Sequence, residues 1–98
     1  MKMTMNRPEN YQYPLNDAWN TAEIIKVTTF YQKIELANET SLPTAELLAA
    51  YRDFKTVVPA KSEEKQVSRS FEAASGLSIY RTMQAAQTTN KQRFQYRG

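Results

Sequence analysis

Pro59 and Gly76 constrain the fold of this chain more than any other feature, because each of them marks the end of a helix. The residue before a proline is pushed out of the helical region, so a helix that approaches Pro59 must stop there. Gly76 suits the left-handed backbone position that commonly follows a helix. We therefore predict one helix between Pro59 and Gly76, within residues 60–75, and another helix on each side of it.

The composition favours helices along the whole chain. Only 2 of the 98 residues are glycine, and the common residues Ala, Glu, Lys, Gln and Leu lose little conformational freedom in a helix. We predict an all-α fold, a compact irregular array or bundle of about four helices with an extended aromatic N-terminal arm. The predicted organisation is a flexible N-terminus over residues 1–10, a single helical domain over residues 11–88 and a basic flexible tail over residues 89–98.

The arm is the segment YQYPLNDAW, which places Tyr11, Tyr13, Leu15 and Trp19 around Pro14. The proline favours an extended conformation at the residue before it. Leaving such large apolar side chains in water costs about 1.5 to 3 kcal/mol each. We therefore expect the arm to be a strap that closes one side of the core, with a partner-binding role as the alternative.

Two helices are predicted before Pro59. Asn20 and Glu23 form a capping-box pattern that starts the first helix, and this helix ends near residues 38–41. Ile25 and Leu36 lie off its main apolar face, and we expect them to contact the arm, with another subunit or water as the alternatives. The second helix opens at Pro43 and runs to about residue 57. The predicted core positions of the two helices are Ile24, Val27, Phe30, Tyr31, Ile34, Ala37, Leu47, Ala50, Tyr51, Phe54, Val57 and Val58.

Two further helices are predicted after Pro59. Ser62 is the expected N-cap of the third, and Glu63 and Glu64 in its first turn complement the helix dipole. Leu77 is expected to pack back on its last turn, and Ser78 is expected to cap the fourth helix. The predicted core positions are Val67, Phe71, Ala74, Ile79, Met83 and Ala86, with Tyr80 beside them.

The composition excludes most catalytic and metal chemistry. The chain has no cysteine and no histidine, which removes thiol nucleophiles, the commonest acid–base catalyst and the preferred zinc ligands. Glu63 and Glu64 are adjacent and diverge on a helix, so they do not form a catalytic pair. We predict a non-enzymatic protein with no catalytic residue, no cofactor and no metal. No segment has the apolar length of a membrane span or signal peptide, so we expect a cytoplasmic protein.

Charge is distributed unevenly along the chain. Residues 1–60 carry six Lys or Arg and seven Asp or Glu, a net −1, whereas residues 61–98 carry seven and three, a net +4. A basic C-terminal part attracts an acidic protein surface or a nucleic acid. A solvated tail without a partner is the simpler alternative for residues 89–98.

The favoured functional prediction is a protein-interaction module that presents a basic helical face. Its candidate partner-binding residues are Lys61, Lys65, Arg69, Tyr80 and Arg81, to which Leu48 and Arg52 could be added. Arginine and tyrosine are frequent at binding hot spots.

The alternative is a nucleic-acid-binding protein that uses a helix-turn-helix-like corner, residues 62–89, and the basic tail. The match to that motif is partial. Glu72 stands where it requires a small residue, and Thr82 stands where it requires an apolar one. The partner's identity and the oligomeric state are not specified by the sequence.

Several blocks also resemble a known family. The blocks are YQYPLNDAW with Glu23, Tyr51, FK at 54–55, VP at 58–59, Lys61, EEK at 63–65, FE at 71–72, SG at 75–76 and YR at 80–81. Together they are similar to uncharacterised protein family 0223 of Gram-positive bacteria. The resemblance covers residues 9–88 and leaves the tail outside. It implies an all-helical cytosolic bacterial protein, and it implies no activity.

Overall fold

The computed structural model describes residues 11–97, and the prediction for residues 1–10 lies outside them. Four helices account for most of this part of the chain: α1 (Thr21–Glu39), α2 (Thr44–Val57), α3 (Lys61–Ser75) and α4 (Ile79–Thr88). Two short strands, β1 (Leu42–Pro43) and β2 (Arg93–Phe94), pair antiparallel. The predicted all-α class with four helices is confirmed, and the small strand pair is an addition to it.

The helix ends follow local chemistry at most of the predicted positions. At the start of α1 the backbone N–H of Glu23 donates to Asn20 Oδ1 and the N–H of Asn20 donates to Glu23 Oε1, both at 2.9 Å, which is a complete capping box. Gly76 has φ of 79° and ends α3 in the left-handed conformation. Ser78 Oγ accepts from the N–H of Arg81 at 3.1 Å at the start of α4. These three predictions are confirmed.

The predicted cap at Ser62 is wrong. Helix α3 begins two residues earlier, with Ala60 at the cap position and no side chain satisfying the helix end. The carbonyl of Ala60 already accepts from the N–H of Glu64 at 3.0 Å. Ser62 therefore lies inside the first turn, where its hydroxyl is exposed.

The core lies between α1, α2 and the inner faces of α3 and α4. Phe30 stacks on Phe54 with ring centroids 4.7 Å apart, and Tyr31 stacks on Phe71 at the same distance. Offset aromatic pairs at this separation add specific contacts to the hydrophobic burial. The predicted core face is largely confirmed, since these further positions are also buried: Val27, Ile34, Ala37, Leu47, Ala50, Val58, Val67, Ile79, Met83 and Ala86.

The aromatic arm packs as a strap, as predicted. Tyr11 and Tyr13 both donate their phenolic hydrogens to the carboxylate of Glu35 on α1, the second at 2.8 Å. Tyr31 Oη donates to the carbonyl of Pro14 at 2.8 Å. The ring of Tyr13 lies 5.0 Å from that of Tyr31, which places the arm over the Tyr31–Phe71 stack. Hydrogen bonds and ring contacts together therefore hold the strap in place.

The arm does not cover the outer side of α1. Ile25 is 58% exposed and Leu36 is 38% exposed, so the arm does not shield them from water, contrary to the favoured expectation of a contact with it. The arm reaches α1 through Glu35 and Tyr31 instead. At helical spacing, Glu35 and Tyr31 lie about 80° to 140° around the helix from Ile25 and Leu36.

The C-terminal segment is not a free tail, and this prediction is also wrong. Phe94 is buried and pairs with Leu42 in the strand ladder. The N–H of Thr44 donates to the carbonyl of Gln92 at 2.8 Å, and the N–H of Tyr96 donates to the carbonyl of Ala37 at 2.7 Å. The physical reason is that Phe94 joins the buried core beside Leu42, in the connection between α1 and α2, so residues 89–97 close the core there.

Candidate functional site

A polar clamp joins α2 to α3. Glu64 Oε1 accepts from Lys55 Nζ at 2.6 Å, and Glu64 Oε2 accepts from Tyr51 Oη at 2.8 Å. All three side chains are at least half shielded from water, so these charge-assisted bonds are stronger than exposed ones. Both oxygens of Glu64 are occupied by the fold. This carboxylate therefore serves as structural support.

The clamp also changes the acidity of Tyr51. Its ring packs 5.6 Å from that of Phe30. Burial, and then the hydrogen bond to Glu64 and the negative charge of that carboxylate, raise the pKa of Tyr51 to about 12. Burial likewise raises the pKa of Tyr31. Both phenols stay protonated at neutral pH and act as hydrogen-bond donors.

Three candidate partner-binding residues lie together on α3, and we call them the basic face: Lys61, Lys65 and Arg69. They are spaced four residues apart, which places them within an arc of about 80° on a helix. All three are exposed. Their side chains form no hydrogen bond or ion pair with any of residues 11–97. The structure thus presents three unpaired cations on one side of one helix.

The other two candidates, Tyr80 and Arg81, lie in the first turn of α4. Tyr80 is 68% exposed, and the Arg81 side chain is exposed as well. Within the described range, no hydrogen bond or ion pair links them to the basic face. The structure therefore places the five predicted residues as two exposed groups on either side of the corner at Gly76. Of the optional additions, Arg52 is exposed and Leu48 is half-buried.

The helix-turn-helix-like corner has mixed features. Glu72 is exposed, so it does not obstruct close packing between the helices. Thr82 is fully buried, and its hydroxyl donates to the carbonyl of Ser78 at 2.7 Å while accepting from Asn38 Nδ2 at 3.2 Å. Thr82 therefore occupies an interior position, where the motif requires an apolar residue. The tail that was expected to assist nucleic-acid binding is used for folding through Phe94.

An open groove of about 360 Å³ separates the arm from α3, and we call it the arm groove. Asn16 bridges the two elements, since its Nδ2 donates to Glu63 Oε2 at 3.3 Å. The lining residues are Pro14, Leu15, Asn16, Asp17, Trp19, Glu63, Gln66, Val67 and Ser70. Sequence reasoning missed this groove, because nothing local indicates that the arm crosses α3.

Metal binding and membrane insertion find no support in the described structure. Across residues 11–97, no three carboxylates are placed to hold a metal ion together. No helix in this range is both long and apolar enough to cross a membrane.

Comparison with known sequences places the chain in a family. Residues 10–95 match the family described as Uncharacterised protein family (UPF0223). A UPF0223 protein of Lactiplantibacillus plantarum is 72% identical over 97 residues, 99% of each chain. A similar protein of Enterococcus faecalis is 50% identical over 80% of this chain and 85% of the relative. Another, of Streptococcus gordonii, is 46% identical over 85% of this chain and 90% of the relative.

The family match reaches further along the chain than the sequence blocks indicated. It extends to residue 95, so the C-terminal strand falls within it, contrary to the expectation that the similarity stops at residue 88. The match and the relatives agree on one assignment. The chain belongs to the uncharacterised protein family UPF0223.

Proposed function

We propose that this protein is a cytoplasmic, non-enzymatic interaction module whose basic face binds an acidic surface on a partner protein. The observation that carries the proposal is that the carboxylates in the first turn of α3 are hydrogen-bonded within the fold, whereas the cations of this helix are not. Glu64 is held by Lys55 and Tyr51, and Glu63 accepts from Asn16. The cations of the same helix have no partner among residues 11–97.

This division leaves an outward surface of positive charge on a helix that the core holds rigidly. Val67 and Phe71 anchor the opposite side of α3. Rigid presentation lowers the entropy cost of binding, because the backbone is already ordered. Complementary charge accelerates encounter and selects an acidic partner over a basic one. Tyr80 and Arg81, on the other side of the corner at Gly76, add a second exposed group of residue types that are common at hot spots.

A protein partner fits the basic face better than nucleic acid does. Glu72 is exposed and lies at about the same helical angle as Lys61 and Lys65. A carboxylate inside a phosphate-binding surface is repelled by the backbone charge. A protein surface of mixed charge can accommodate it.

The test is affinity capture from native lysate with a charge-reversed variant. Lys65→Glu with Arg69→Glu should abolish capture of the partner while leaving the thermal midpoint nearly unchanged, because both side chains are exposed. A matched control is Lys26→Glu with Lys91→Glu, which changes the net charge equally at exposed positions outside the face.

Parallel captures with and without nuclease separate the two partner classes. The proposal requires the same partner in both samples and its loss only in the variant at residues 65 and 69. Capture that survives the charge reversal contradicts the basic face as the binding surface. Capture that disappears after nuclease treatment assigns the surface to nucleic acid instead.

A further inference from the structure

The geometry points to a second binding site in the arm groove, for a short segment of a partner protein in which an aliphatic side chain stands next to a lysine or arginine. This site is distinct from the basic face. The arm groove borders α3 along Glu63, Gln66 and Ser70. At helical spacing the centre of this group lies roughly 130° around the helix from the centre of the group Lys61, Lys65 and Arg69. One helix thus separates two surfaces of opposite charge.

The apolar part of the groove supplies an anchor point. Leu15 is 51% exposed, although it lies in a segment whose other large side chains are packed. Trp19 and Val67 line the groove beside it and are each 9% exposed. An aliphatic side chain placed among these three residues would remove further apolar surface from water. Aromatic residues in such partly buried positions are typical of binding hot spots.

Trp19 provides a second, independent indication. Its indole N–H has no hydrogen-bond acceptor among residues 11–97, although the residue is nine-tenths buried. The indole N–H of a largely buried tryptophan usually has a hydrogen-bond partner. Trp19 lines the groove, so a backbone carbonyl of a bound segment is a suitable acceptor for this residue.

The charge of the groove lining further restricts which segment can bind there. The lining includes the carboxylates of Asp17 and Glu63 and no lysine or arginine, in a chain whose net charge is +3. The Asp17 side chain has no partner within the described residues, and Glu63 accepts only from the neutral amide of Asn16. A cationic side chain would pair with both carboxylates, whereas an acidic segment or a nucleic acid would be repelled. Because the groove is open at the surface, a segment that continues beyond it fits better than an enclosed small ligand.

The experiment is selection of a tryptophan-free random peptide library on the purified protein. Binding of each selected peptide is then followed through the fluorescence of Trp19, the single tryptophan of the chain. The expected peptides carry a lysine or arginine adjacent to leucine, isoleucine or valine. Asp17→Asn combined with Glu63→Gln should weaken them by roughly tenfold or more, as loss of a charged pair does. Leu15→Ala should also weaken them, whereas the control Asp53→Asn, at an exposed acid on α2, should not.

The outcomes also separate this site from the basic face. The variant Lys65→Glu with Arg69→Glu should still bind the selected peptides, even if it loses its captured partner. Selection of no peptide, selection of acidic peptides, or binding that is insensitive to the groove variants would overturn the inference. Sedimentation that shows a dimer dissociated by Leu15→Ala would overturn it too, because a second copy of the chain would then be the occupant.

Discussion

Replacement of Phe94 by alanine measures how far the C-terminal segment belongs to the core. The side chain is 6% exposed and lies on the strand that pairs with Leu42. Removing a buried phenylalanine costs about 3 to 5 kcal/mol, depending on how well the site can collapse. Because β2 lies at the edge of the core and can move inward, we expect a value near the lower limit, about 3 kcal/mol. A domain of this size is stabilised by only about 5 to 15 kcal/mol in total.

Urea unfolding and thermal unfolding, both followed by far-UV circular dichroism, report this loss. A change of about 3 kcal/mol should lower the thermal midpoint by about 12 to 24 °C in a domain of this length. Phe94→Leu keeps most of the buried volume and should cost about 1 kcal/mol. Gln95→Ala is the control, since the neighbouring side chain is exposed and should change stability by about 0.5 kcal/mol at most. A loss in Phe94→Ala no larger than that of the control would show that the segment is a loose tail.

Two further predictions concern the helix corner and the buried phenols. Gly76→Ala should lower the free energy of unfolding by about 1 kcal/mol or more, because an alanine is strained at φ of 79°; an unchanged urea midpoint would contradict the left-handed assignment. The contribution of Tyr51 to stability should be constant up to the ordinary tyrosine pKa of 10.0 and be lost as pH rises towards about 12, because Tyr51 ionises in the unfolded chain before it does in the folded one. In Tyr51→Phe the loss of stability with rising pH should be shallower, as measured by urea titrations at pH 9 to 12 (about one unit apart). An identical loss in the variant and in the unaltered protein would refute the raised pKa.

The helices were predictable because their signals are local. The capping box at Asn20 and Glu23 and the glycine at position 76 each act within one turn of the chain. A satisfied N-cap or a left-handed residue depends on neighbours three or four positions away. The exception, Ser62, shows the limit of that reasoning. The helix could begin at Lys61 without a side-chain cap, because the short connection after Pro59 and the clamp at Glu64 fix α3 from outside.

The contacts that the sequence did not reveal join distant segments. Phe94 lies 52 positions after Leu42, its partner in the strand ladder, and a two-residue strand has no periodicity to detect. Thr82 illustrates the same difficulty for a polar residue. Its burial is tolerated because Ser78 and Asn38 satisfy its hydroxyl, and the pairing with Asn38 depends on how α1 packs near α4. Such pairings follow from tertiary packing, which local pattern does not encode.

Tertiary contacts, which the local sequence does not reveal, also decide which residues of α3 are candidates for function. In the sequence, Glu63, Glu64 and Lys65 form one charged block, and nothing local distinguishes their roles. The structure assigns Glu64 to the clamp and places Glu63 at the arm groove, while Lys65 faces outward without a partner among residues 11–97. Substituting Glu64 would therefore perturb the packing of α2 against α3 before it perturbed any binding. Lys65 can be reversed in charge with the scaffold intact, so it is the member of the block at which a change in binding can be attributed to the surface itself.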